Sequence, residues 1–159
     1  MIFRHADNQD AAALTTFHVG DVTSPWLAEV AEIVVGLLAW RDDDPAPEEG
    51  REVIVADDDG EVVAVAAHTA VVTDEGRTWQ LNRYLIVVAV RADRQRSGIA
   101  QALVESLLVD LADRGVRTVE WLVHPANGPS IGFSRSLFPE ADETSPPEDK
   151  PYLRFVVRL

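Results

Sequence analysis

Residues 79–123 restrict the fold more than any other part of the chain. "WQLNRYLIVVAV" reads as a long strand whose apolar end suits burial on both faces. Residues 99–114 place Ile99, Leu103, Val104, Leu107, Leu108 and Leu111 on one side of a helix, and Gly115 suits its C-terminal cap. "RTVEWLV" follows as another strand. Strand, helix and strand at this spacing need a parallel pair joined by a right-handed crossover.

The flanking segments extend this pair into a sheet. "MIFRHAD" reads as a first strand, and Asp7 or Asp10 can cap a short helix through Leu14 and Phe17 that Gly20 ends. Ser24 and Pro25 open a second helix, on which Trp26, Val30, Ile33, Val34, Leu37 and Leu38 form one apolar stripe. An acidic, proline-containing loop covers 41–50. "REVIVA" and "EVVAVAAHTAVV" flank "DDDG", a hairpin signal, and "TDEGRT" is a further turn. Asn127 and Pro129 can open a last helix through Phe138. "PEADETSPPED" reads as a polar loop, and "YLRFVVRL" closes the chain as an alternating strand. The meander makes part of the sheet antiparallel. The expectation is a single α/β domain over residues 1–159, with a mixed sheet of six to seven strands flanked by helices.

Charge and composition narrow the function. A formal net charge of -13 argues against a nucleic-acid partner, which needs clustered Lys and Arg. It can draw in a cationic substrate, or do no more than keep the protein soluble. The absence of Cys excludes disulfides, thiolate metal sites and a cysteine nucleophile. The apolar runs are too short to span a bilayer, and "MIFRHADNQD" lacks the basic and apolar regions of a signal peptide. A cytoplasmic protein with no membrane and no metal partner is expected.

"VRADRQRSGIAQALVE" (90–105) holds the chemistry. The first amides of a helix lack internal partners and carry partial positive charge, so a strand feeding a helix through small residues can cradle phosphate. Ser97, Ile99 and Ala100 can offer amides, Gly98 allows close approach, and Arg94 and Arg96 add charge. The plainer reading is a tight turn before a helix. Neither G-x-G-x-x-G nor G-x-x-x-x-G-K-[ST] occurs. "GPSIG" (128–132) matches the nucleophile elbow G-x-S-x-G, but no His follows Ser130, and Pro129 fits a helix start.

The same stretch resembles the pyrophosphate-binding segment of the GNAT family of acyl-CoA N-acyltransferases. Gln95, Gly98 and Ala100 fill its [QR]-x-x-G-x-[GA] core, five residues beyond the strand-end Val90. "NGPSIGFSRSLF" is similar to the family's later segment through Asn127, Ser130, Phe133 and Phe138. The motifs cover about residues 84–138, while the element order fits nearly the whole chain. The resemblance implies acetyl-CoA as cosubstrate. The backbone of Val88 and Val90 would bond the acetyl group and pantetheine arm. The amides of Gln95, Arg96, Ser97, Gly98, Ile99 and Ala100 would hold the pyrophosphate, and Asn127 and Ser130 would face the pantetheine or adenosine end. It also implies that Trp26 and Trp40 line the acceptor pocket, and that a homodimer can form through apolar residues of the last strand.

The chain departs from the family pattern where protons move. Relatives often carry a Tyr on the last helix to protonate the thiolate, and Phe133 stands there. Some carry a Glu base six residues before the strand-end valine, and Tyr84 stands there. Tyr84 and His68 are therefore the candidate catalytic residues, with His124 a further candidate base. Glu120 reads as solvent-facing, and His5 and His18 receive no role. Three functions stay open: acetyl transfer to the primary amine of a small molecule or peptide, a degenerate GNAT domain that binds acyl-CoA or a partner without catalysis, and a toxin-like acetyltransferase acting on charged tRNA. "FHVGDVTSPWL" resembles the start of the last group, but its substrate needs a basic face.

Overall fold

The computed structural model describes residues 1–38, 50–72, 78–145 and 152–159, with side chains at all of these except 72 and 78–80. Most of the acidic loop at 41–50, the turn at 73–77, Trp40, the ring of Trp79 and positions 146–149 of the polar loop lie outside the described residues.

The strands are β1 (Ile2–His5), β2 (Glu52–Asp58), β3 (Glu61–Val72), β4 (Thr78–Val90), β5 (Thr118–Val123), β6 (Asp142–Thr144) and β7 (Leu153–Arg158). The helices are α1 (Ala11–Thr15), α2 (Pro25–Gly36), α3 (Ile99–Asp113) and α4 (Gly128–Leu137). "DDDG" turns the β2–β3 hairpin because Asp59 and Gly60 both take positive φ, 54° and 87°. The Asp57 carboxylate accepts the Gly60 amide at 2.7 Å and closes the turn. The first helix is shorter than its sequence suggests. Asp7 caps a single 3-10 turn at Asn8–Asp10, and α1 ends at Thr15, although Phe17 is still buried. Asp10 also accepts two bonds from Arg4, at 2.7 and 2.9 Å, which ties this turn to β1.

One mixed sheet runs in the order β1-β2-β3-β4-β5-β7-β6. Beside the central strand, β4, the strand β3 is covered on both sides, so Val63 through Ala67 are wholly buried. On one face Leu14 of α1 and Val34 of α2, with Phe17 and Leu37 just beyond these helices, pack against Val53, Val55, Val65 and Ala67. On the other face α3 packs Ile99, Leu103, Leu107 and Leu111 on Ile54, Ala64 and Ala66, and Trp121 stacks on Phe155 with centroids 5.5 Å apart. The seventh strand, β6, is a correction. Asp142–Thr144 falls inside the expected polar loop, is exposed, and is held by pairing with β7 rather than by burial. That pairing also covers β7, so in the described part of the closing stretch only Leu159 among the large apolar residues is exposed. Leu153, Val156 and Val157 are half-buried, so the exposed apolar surface on which the dimer expectation leans is small. No helix among the described residues is long and apolar enough to cross a membrane.

Two irregularities in β4 shape the site. Its parallel pairing with β5 spans only Asn82–Tyr84 against Thr118–Glu120. Immediately afterwards Ala67 pairs with Val87 while His68 pairs with Leu85, so Ile86 is an extra residue on β4. Such a bulge bends the strand and strengthens its twist. Beyond it β4 stays with β3 and leaves β5.

Candidate active site

The parted strands open a cleft of about 830 Å³ whose walls include Tyr84–Val90 of β4, Trp121–Val123 of β5 and the following His124, Gln95–Gln101, Trp26 and Glu29 of α2, and Tyr152. The β4 edge from Leu85 onward turns toward this space without a strand neighbour on the β5 side. Val88 and Val90, expected to bond an acyl arm through their backbones, lie on that edge.

The cradle at the cleft's end is built from backbone. Arg96 and Gly98 both take positive φ, 61° and 80°, and Gly98 is the N-cap of α3 with no side chain bonded to the free amides. Left-handed residues here turn successive N–H groups toward one point, an arrangement that receives anions. A Cβ placed on Gly98 would meet no atom within 4 Å, so the surface above it is open. The Gln95 side chain is occupied: its amide donates to the carbonyls of Val19 at 2.8 Å and Val90 at 3.2 Å, fixing the cradle to the α1–α2 loop and the end of β4. Asn127 is also occupied. Its side-chain oxygen accepts the Ser130 amide at 3.1 Å and caps α4, while both residues line the cleft.

The proton-handling candidates separate. Tyr84 lines the cleft, and burial pushes its phenol above the usual range, with Glu120, Glu29 and Tyr152 adding to the rise. A phenol raised in this way keeps its proton more firmly, which suits it to donating a hydrogen bond better than to accepting a proton. Phe133 lines the cleft with no proton to give. His124 lines it too, but its Nδ1 accepts the Ala126 amide at 3.1 Å. The neutral ring then carries its hydrogen on Nε2 and has no free lone pair for an amine proton.

His68 does not reach the cleft. It is fully buried on the α3 face of the sheet. There Arg83 bonds Glu52, and Arg114, just after α3, reaches both Glu52 oxygens at 2.7 and 2.8 Å. His68 Nε2 lies 3.9 Å from Glu52, too far for a hydrogen bond. Burial outweighs the carboxylate's attraction and lowers the imidazole to about 4. An imidazole depressed from 6.5 is neutral in the fold and binds its proton more readily when unfolded. Its contribution to stability is present above pH 6.5 and is lost as pH falls toward 4. Chemical unfolding at stepped pH is expected to show His68→Leu losing less stability across this window than wild type, by on the order of 3 kcal/mol. Parallel curves for the two proteins would mean that the imidazole is charged in the fold.

Sequence reading passed over Glu29, Tyr152 and Ser134. The Tyr152 hydroxyl lies 3.5 Å from both Glu29 oxygens, and its ring meets His124 edge-on at 5.8 Å. Ser134 is buried and accepts the Trp121 indole N–H at 2.9 Å. The one available signal was Glu29 itself, a carboxylate one turn after Trp26 beside an apolar stripe. No group of three or more His, Cys, Asp or Glu side chains suited to a metal occurs among the described residues.

Comparison with known proteins agrees with this architecture. The sequence profile of the Acetyltransferase (GNAT) family matches residues 11–137. No curated protein matches the chain by sequence. Among solved structures, the GNAT domain of S. lividans PAT superposes with a TM-score of 0.75 at 20% identity, covering 99% of this chain and 89% of that one. An acetyltransferase from Thermus thermophilus gives 0.72 at 20% identity, covering 100% and 98%. A GNAT family acetyltransferase from Brucella melitensis, solved in complex with acetyl-CoA, gives 0.61 at 25% identity, covering 82% and 80%.

Proposed function

The chain belongs to the GNAT acetyltransferase family, and on that premise we propose that it transfers an acetyl group from acetyl-CoA to the primary amine of a small molecule or peptide. The observation that carries this reading is the parting of β4 from β5 beside a helix N-terminus free of any side-chain cap. The open surface at Gly98 fits the pyrophosphate, and the unpaired β4 edge fits the amide-bearing pantetheine arm. Acetyl-CoA supplies an activated thioester. The amides of Gln95 to Ala100 hold its phosphates, and Asn127 and Ser130 flank its arm. A backbone N–H near Val88 polarises the carbonyl oxygen, with most effect where negative charge develops. Tyr84 donates a hydrogen bond at the mouth. Water takes the amine's proton and returns one to the thiolate, which is readily formed because a free thiol titrates near 8.5. The same reading keeps the protein in the cytoplasm with no metal.

Calorimetric titration with acetyl-CoA, followed by turnover across a panel of amines, tests the proposal. Binding in the micromolar range with turnover above background is expected. Binding without turnover points to the second reading, a domain that holds acyl-CoA without catalysis. Phe133 and the occupied lone pair of His124 favour it. Phe133→Tyr would then be expected to restore turnover. No binding removes both readings.

A further inference from the structure

The cleft is electrically polar along its length. One end carries Arg96 and the α3 amides, with Arg94 there paired to Asp58 and Glu61 and with Asp21 also on the lining. The other carries Glu29 on α2, an exposed carboxylate, with Trp26, Tyr84 and Tyr152 also on the lining. Glu120, close to Tyr84 across the β4–β5 pair, is neutralised by Arg154. Glu29 is not: among the described residues its one polar partner is the uncharged Tyr152 hydroxyl, and it forms no ion pair. A lone carboxylate beside aromatic faces is suited to an organic cation, which gains from both charge and ring. A carboxylate paired with the reacting nitrogen would favour its ammonium, which must lose a proton before it attacks a carbonyl, so Glu29 suits a second charged group better.

From this polarity we infer that the acceptor carries a second positive charge, an ammonium or guanidinium apart from the reacting amine, and that Glu29 steadied by Tyr152 receives it. Glu29 is thus a specificity residue on the acceptor side. The inference rests on the acetyltransferase reading and narrows its substrate class to diamines, polyamines and basic peptides.

Paired probes of equal length test it, 1,5-diaminopentane and 5-amino-1-pentanol. Wild type is expected to favour the diamine in kcat/KM. Glu29→Gln should shrink that preference about fivefold, and added salt should shrink it in wild type but not in the variant. Tyr152→Phe should shrink it less. An undiminished preference in Glu29→Gln, or no preference in wild type, overturns the inference while leaving acetyl transfer intact. A second measurement does not need turnover: calorimetric binding of 1,5-diaminopentane to the CoA-loaded full chain. Weaker binding by Glu29→Gln than by wild type supports the assignment, and equal or absent binding in both overturns it. Acetyl-CoA titration of the variant separates either result from misfolding.

Discussion

Gly98→Glu is expected to abolish acetyl-CoA binding, weakening it at least ~100-fold, in a protein that still folds. The residue sits at φ 80°, a conformation that costs a side chain roughly 1–2 kcal/mol. A small domain with stability of about 5–15 kcal/mol survives that cost. There is room for the new side chain, since its Cβ would meet nothing within 4 Å. The carboxylate then occupies the space above the free α3 amides, where the helix dipole attracts it. It displaces the phosphates by filling their place and by repelling their charge. Gly98→Asn separates the two effects. Asn tolerates the left-handed backbone and adds no charge, so a smaller loss is expected. Calorimetry gives the affinities, and circular dichroism confirms the fold. A glutamate variant that binds as wild type does would show that the phosphates rest elsewhere.

Glu52→Ala is expected to lower the free energy of unfolding by about 3–5 kcal/mol, the range for breaking a buried ion pair by removing one partner. Glu52 is the hub of the charged cluster under α3. Its side chain is 9% exposed, and it joins Arg83 of β4 to Arg114 at the end of α3. Burial works against this carboxylate, yet the Arg114 hydrogen bonds and the neighbouring charges hold it below the usual range. Removing it takes a carboxylate partner from the buried Arg83 and from Arg114. It also loosens the C-terminal end of the helix whose other end forms the cradle. Urea unfolding monitored by tryptophan fluorescence reads the effect. A loss under about 1 kcal/mol would place the cluster with surface ion pairs, which contribute little.

How far the sequence foretold the molecule depends on the distance over which each feature is determined. The "DDDG" turn, the Ser24–Pro25 helix start, the Asn127 cap and the stripe on α3 are local, and each lies where its residues indicate. The β6 strand is not local. Asp142–Thr144 is three polar residues, and only β7, arriving later in the chain, makes them a strand. The burial of His68 is equally hidden. Position 68 lies at a register shift between β3 and β4, and the face it takes depends on the pairing of both strands. The pairing of Glu29 with Tyr152 joins positions 123 residues apart, and neither residue marks the other in the sequence.

Ile86 makes the cleft a matter of counting. Leu85 and Val88 pack toward α3, whereas Ile86 and Val87, side by side, pack toward α1 and α2. One surplus residue therefore reverses the alternation partway along a strand and releases the rest of that strand from β5. Nearly any apolar side chain could occupy position 86 with the same outcome, because what matters is the length of the segment and not its chemistry. The receptacle is thus encoded in spacing. It can persist through heavy substitution of its lining and be lost by the removal of a single residue.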